Sequence, residues 1–302
     1  MGTLIEILID DIVPIFVVIG LGYAFARRTH ADIRTVSRLT FYVLSPSLVF
    51  SSLVESNVEG GEVAQIAVFV VCVTLLMGVL AWLTARLLKF NSHQTAGFLL
   101  AVMFVNAGNY GLGVNQLAFG ANAESRAVIY FVTSSVMVYT VGVLIATGHN
   151  GGMRGMLKQL FGLPHIYALL AVLIIRLTGF QVPKPILQGI NFPAQAAIPM
   201  MLLVLGAQLA NTSIGQYWKP ALAGSGLSLL AAPLLAFTMA GVIGLSGAAR
   251  QAAILQASMP AAVINTIVAN EFEAEPKLVT GTVVLSTLLS PLTLTFIIAL
   301  LR

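Results

Sequence analysis

The stretch Val105-Asn106-Ala107-Gly108-Asn109-Tyr110-Gly111-Leu112-Gly113 sits inside a long apolar segment, with 94–104 before it and 114–119 after it reading as membrane helix. Three glycines and two asparagines within nine residues are a poor way to continue that helix. Glycine costs roughly 1 kcal/mol there relative to alanine, and asparagine prefers caps and turns. In hydrocarbon, broken backbone is tolerated only where protein buries it or a wet cavity borders it. The stretch therefore predicts a discontinuous helix whose break is a binding site.

The rest of the chain supports a membrane setting. Of 302 residues, 58% are hydrophobic and 9% charged, with a mean hydropathy of +0.95. Soluble domains carry about 25% charged residues, so the composition indicates an all-α polytopic membrane protein. No period-2 pattern suggests an outer-membrane barrel. Glu6, Asp10 and Asp11 stand where a cleavable signal would be basic. The single cysteine, Cys72, excludes an internal disulfide and a thiolate metal site. The pI near 9.4 comes from membrane loops rather than a basic stripe with interleaved aromatics, so no nucleic-acid partner is expected.

The length rule for membrane helices gives about ten spans: 4–26, 36–54, 63–88, 94–119, 127–147, 161–177, 186–209, 220–243, 251–270 and 278–301. With the N-terminus outside, the inner loops hold Arg27, Arg28, Arg34, Arg38, Arg86, Lys89, Arg154, Lys158, Lys219 and Lys277. The outer side then keeps Arg126, Arg176, Lys184, Arg250 and Arg302. That bias predicts an inner-membrane protein with both termini outside. Glu124 falls on the outer side, whereas Glu271, Glu273 and Glu275 make an inner loop acidic against the trend.

An internal repeat is also visible. Pro14 and Pro164, Pro46 and Pro199, and Phe119-Gly-Ala and Phe272-Glu-Ala recur at about half the chain length, and that offset sets Ala107-Gly108-Asn109 on Pro260-Ala261-Ala262. Five spans per half make the copies inverted, 1–150 against 151–302. The ninth span should accordingly break near Ser258-Met259-Pro260-Ala261-Ala262, with Pro260 opening a new half-helix. Two crossed, discontinuous helices, the fourth and ninth, would meet near the bilayer midplane. Their exposed N–H ends attract anions, and their carbonyl ends can hold a cation.

No charge is expected at that depth, since Asp10, Asp11, Glu55 and Arg176 fall at outer span ends. The residues expected at the site are Asn106, Gly108, Asn109, Tyr110, Gly111, Met259, Pro260, Ala261, Ala262 and Asn265, with Gln256 and Gln208 as candidate ion-binding residues. Met103, Tyr110 and Met259 would supply apolar walls. Amide side chains and half-helix ends suit a small carboxylate. The bland readings are close helix packing for the glycines and ordinary kinks for Pro46, Pro199 and Pro260. His30, His93, His149 and His165 lack ligand spacing and read as interfacial. An intramembrane hydrolase would need a base near Ser225, and no histidine is expected at that depth. A passive channel fits poorly with two broken helices closing a midplane site.

These residues resemble the auxin efflux carrier family, which includes plant auxin exporters and bacterial malonate and other organic-acid permeases. The resemblance lies in Asn106-Ala-Gly-Asn-Tyr-Gly-Leu-Gly and Ala118-Phe-Gly, in Met259-Pro-Ala-Ala-Val, Glu275-Pro and Leu285-Ser-Thr-Leu-Leu-Ser, and in Val13-Pro-Ile-Phe with Gly20-Leu-Gly-Tyr. It implies the architecture of bile-acid sodium symporters. Spans one, two, six and seven would form a scaffold that pairs as a homodimer. Spans three to five and eight to ten would form a moving transport domain of elevator type. It also implies that Asn109 contacts the substrate carboxylate, that no cofactor is needed, and that sodium or protons could drive transport. A sodium-coupled carrier of bile-acid-type anions is the alternative. Gly108 stands where the plant exporters have proline, which argues against auxin itself, and the short 148–160 link leaves no room for their long loop.

Overall fold

The structure, a computed structural model, describes residues 2–29, 32–147, 160–210, 212 and 217–302. His30, His149, Arg154, Lys158 and the junction between the proposed halves lie outside the described residues. Among the described residues the fold is all-helical, without a strand beyond one isolated two-residue bridge.

In chain order the helices are α1 (2–29), α2 (33–54), α3 (Gly60–Leu87), α4 (Ser92–Met103), α5 (Ala107–Thr147), α6 (Pro164–Thr178), α7 (Lys184–Ala210), α8 (Trp218–Ile243), α9 (Gly247–Ala257), α10 (Val263–Glu271) and α11 (Pro276–Leu301). Five of them, α3, α5, α7, α8 and α11, are long and apolar enough to cross a membrane. The bounds of α3, α7, α8 and α11 fall within three residues of the expected spans. Within α5 two helices meet at a sharp break at Gly120 (φ 74, ψ −170), so the expected end of a span at 119 stands and only the loop to 127 is shorter than expected.

Close packing decides where the longest helices sit. α1 lies along α7 because Gly22 rests on the Leu203 carbonyl and Gly206 on the Ile19 carbonyl. A Cβ at either position would overlap backbone, so the small residues act as membrane helix pairs usually require. α2 packs on α6 and α7, α4 on α3, α8 on α11, and α9 on α5.

The polar groups near one end are tied down more tightly than the sequence implied. Asp11 is 4% exposed and paired with Arg302, so it is not the solvated interfacial carboxylate expected. Arg126 pairs with Glu62 at 2.8 Å. Arg176 donates to the carbonyls of Leu53, Ser56 and Val58 rather than only reaching toward headgroups. Glu124, expected in an outer loop, is 8% exposed. The acidic loop is a tight turn in which Glu273 and Glu275 both adopt positive φ, and the Glu273 carbonyl contacts His93 Nδ1 at 3.1 Å.

Candidate functional site at two helix breaks

α4 starts firmly. Asn91 Oδ1 accepts from the Gln94 N–H while Gln94 Oε1 accepts from the Asn91 N–H, closing a capping box. It stops at Met103, and Phe104 turns extended (φ −114, ψ 109). After Asn106 the chain enters a wide π turn over Ala107–Gly111 and then runs on as α5. Such wide turns inside helices often mark functional sites.

α9 ends at Ala257, and helix resumes only at Val263, with Ala262 extended (φ −77, ψ 140) as its cap. Pro260 therefore does not open the half-helix as expected. It sits in the extended link, where its missing N–H leaves no unsatisfied donor and its carbonyl stays available.

The two links meet. Val105 lies opposite Ala261 in an antiparallel bridge. The Asn106 N–H donates to the Pro260 carbonyl at 2.7 Å, and the Ala262 N–H donates to the Phe104 carbonyl at 3.0 Å. Each broken segment thus satisfies the other's backbone, as burial in an apolar setting demands.

Side chains lock the meeting point. Gln256, fully buried, donates from Nε2 to the carbonyls of Ala107 and Ala127 at 3.2 Å each. Its Oε1 lies so close to Gly111 that a Cβ there would collide with it. That contact gives the glycine a packing role beside its place in the helix break, because Gln256 is held by its bonds to Ala107 and Ala127. Asn265 donates to the Phe104 carbonyl at 2.7 Å. Asn115 donates to the Gly111 carbonyl at 2.8 Å. Ser286 Oγ accepts from the Ala261 N–H at 3.1 Å. Tyr110 is fully buried, its hydroxyl 3.0 Å from Ser290 Oγ and its ring edge-on to Phe16.

Several expected anion donors are already engaged. The N–H groups of Gly111, Ala261 and Ala262 bond to Asn106, Ser286 and Phe104 respectively. Met259, Pro260, Ala261, Ala262 and Asn265 are all buried. Gly108 and Asn109, by contrast, are only half-buried, and the Asn109 side chain makes no hydrogen bond to a described residue. Gln208 stays on α7, with its Oε1 unpartnered among the described residues.

Three polar atoms beside the breaks also lack partners among the described residues: Asn106 Nδ2, Gln256 Oε1 and Asn265 Oδ1. The sequence reading missed Ser286 and Ser290, whose spacing of four on one helix face was the available signal. It also misplaced His165. That imidazole is fully buried, 5.2 Å from the rings of both Phe41 and Phe131, and Phe131 borders Gly108. A histidine therefore does lie one aromatic ring from the break.

Comparison with known proteins points the same way. A family model described as membrane transport protein matches residues 7–298. An uncharacterized transporter of Methanothermobacter thermautotrophicus is 28% identical over 286 residues, covering 93% of this chain and 94% of its own. One from Methanocaldococcus jannaschii is 23% identical over 302 residues, covering 93% and 94%. A Rhizobium meliloti protein whose name proposes malonate transport is 26% identical over 314 residues, covering 96% and 95%.

Proposed function

Because this chain belongs to the membrane transport protein family, we propose that it carries a small organic anion across the membrane by alternating access, with the carboxylate held where the two broken helices meet. It is an integral membrane transporter and not an enzyme. The observation that carries the anion reading is the half-buried Asn109, whose amide has no partner among the described residues beside a helix start. Helix starts attract anions through their free N–H groups, and Asn106 Nδ2 is a second donor at the same break without a partner among the described residues. Malonate, proposed as cargo by the name of the Rhizobium meliloti relative, is the first candidate ligand.

In this reading the chain is a ten-helix inverted repeat, 1–150 and 151–302, with both termini outside. The scaffold is α1, α2, α6 and α7, and its exposed apolar faces serve lipid and a second copy of the chain. The remaining helices move as an elevator, carrying the crossed breaks.

The test is a thermal-shift and uptake screen of small carboxylates on the purified protein, with sodium and pH varied. Ligand at about 100 times its Kd stabilises by about 2.7 kcal/mol, so even weak binders register. Stabilisation by a carboxylate, lost in Asn109→Ala, supports the reading; no response to any carboxylate contradicts it. One observation favours sodium coupling as a second reading. Gln256 Oε1 and Asn265 Oδ1 are buried oxygens beside the breaks without donors among the described residues, and hard cations take oxygen ligands. Carboxylate uptake that requires a sodium gradient and disappears in Gln256→Ala would establish it.

A further inference from the structure

Glu124 is a buried carboxylate that the substrate site does not use. It follows the Gly120 interruption of α5 and is 8% exposed. Its Oε2 accepts from Gln116 Nε2 at 2.9 Å, within the same helix but on the other side of Gly120. Its Oε1 accepts from Ser52 Oγ of α2 at 3.1 Å. A second link backs the first, since Ser125 Oγ donates to the Ser52 carbonyl at 3.2 Å.

The charged groups on the neighbouring helices are either engaged elsewhere or exposed. On α5 itself Arg126 pairs with Glu62 of α3. From α1, Asp11 pairs with Arg302 while Asp10 is exposed. On α2, Glu55 is exposed, and Arg176 of α6 holds the carbonyls of the turn that follows α2. Arg250 of α9 lies over the Phe237 ring, and Lys184 of α7 is exposed. Among the described residues no cation pairs with Glu124. Two neutral donors offset only part of the cost of burying a carboxylate without a counter-ion.

From this geometry we propose that Glu124 is a proton-binding site that latches α5 to α2, so that its protonation releases the moving helices from the scaffold and couples transport to protons. The proposal rests on the moving-domain reading above, because Ser52 belongs to the proposed scaffold and Gln116 and Glu124 to the moving domain. Ionised, the carboxylate accepts from both donors, and such charge-assisted bonds are the stronger kind. A proton taken from water converts one carboxylate oxygen into an O–H. The Ser52 hydroxyl can still bond the neutral acid, as donor or acceptor, but both bonds are then between neutral groups and weaker. The neutral acid also loses the charge that fixed its two acceptor oxygens on Ser52 and Gln116. The charge state therefore sets how strongly the joint is held.

The test uses the full-length protein in liposomes with malonate at equal concentration on both sides, one pool radiolabelled. Exchange is followed with equal pH on both sides, stepped from about 9 to about 5. Wild-type exchange should rise about tenfold as pH falls across one unit of the titration. Glu124→Gln, neutral throughout, should exchange at the wild-type low-pH rate at every pH. Glu124→Asp should keep a pH-dependent but displaced profile, and the exposed Glu55→Gln should behave as wild type. A Glu124→Gln profile that follows wild type overturns the proposal. Should wild type not exchange malonate at any pH, the malonate reading fails by itself. The latch is then decided by thermal unfolding across the same pH range: a wild-type-to-Gln difference that changes with pH supports it, and a constant difference overturns it.

Discussion

Residues 104–111 and 258–262 interrupt their helices with different materials and face different surroundings. The first break uses asparagine and glycine, and at Gly108 and Asn109 it remains half-open. The second uses serine, methionine, proline and alanine, and all five of its residues are buried. Each lends the other one backbone hydrogen bond, yet the side-chain support is lopsided. Gln256 and Asn265, on the helices flanking the second break, donate to carbonyls of the first. The second is steadied by Ser286 from α11. The comparison assigns a division of labour: the buried break buttresses, and the half-open break meets the ligand.

The largest effect should come from filling the contact between them. Gly111→Ala places a methyl against Gln256 Oε1, and overpacking of this kind costs about 1–3 kcal/mol. Thermal unfolding in detergent should drop accordingly, and Gln256→Ala should cost less in this variant than it does in wild type. Strict additivity would mean the two breaks are not coupled through this pair. Gln256→Ala alone leaves the Ala107 and Ala127 carbonyls without their side-chain donor, for about 1–3 kcal/mol. Ser290→Ala, which strips only the partner of the buried Tyr110 hydroxyl, should cost about 1 kcal/mol. Asn109→Ala belongs at the bottom of this series, within about 0.5 kcal/mol of wild type, because its side chain is half-buried and bonds to none of the described residues. An Asn109→Ala protein as unstable as Gly111→Ala would erase the distinction between buttress and ligand contact.

Much of this was legible in the residues. Apolar runs located α3, α7, α8 and α11, because membrane-length hydrophobicity is a strong local signal. The glycines and asparagines after Val105 gave away the first break, and Pro260 marked the second. What the residues did not reveal depends on contacts between distant segments. Pro260 looked like a helix opener because position one tolerates proline, and only the pairing with Asn106 explains an extended link there. Glu124, Asp11 and His165 looked interfacial because their sequence neighbourhood is a span end. Ser52 and Gln116 give Glu124 its donors and Arg302 gives Asp11 its counter-ion, while His165 lies between Phe41 and Phe131 with neither ring nitrogen bonded to a described residue. Likewise Gly111 read as a helix breaker, whereas its tightest constraint comes from Gln256, far along the chain.

Asn109 carries the central claim, and malonate affinity of the purified protein measures it most directly. Titration of wild type against Asn109→Ala, with unfolding temperature recorded for both, should show affinity reduced about tenfold or more, equivalent to about 1.4 kcal/mol, at an unchanged unfolding temperature. Equal malonate affinity in the two proteins would contradict the placement of the carboxylate at the half-open break.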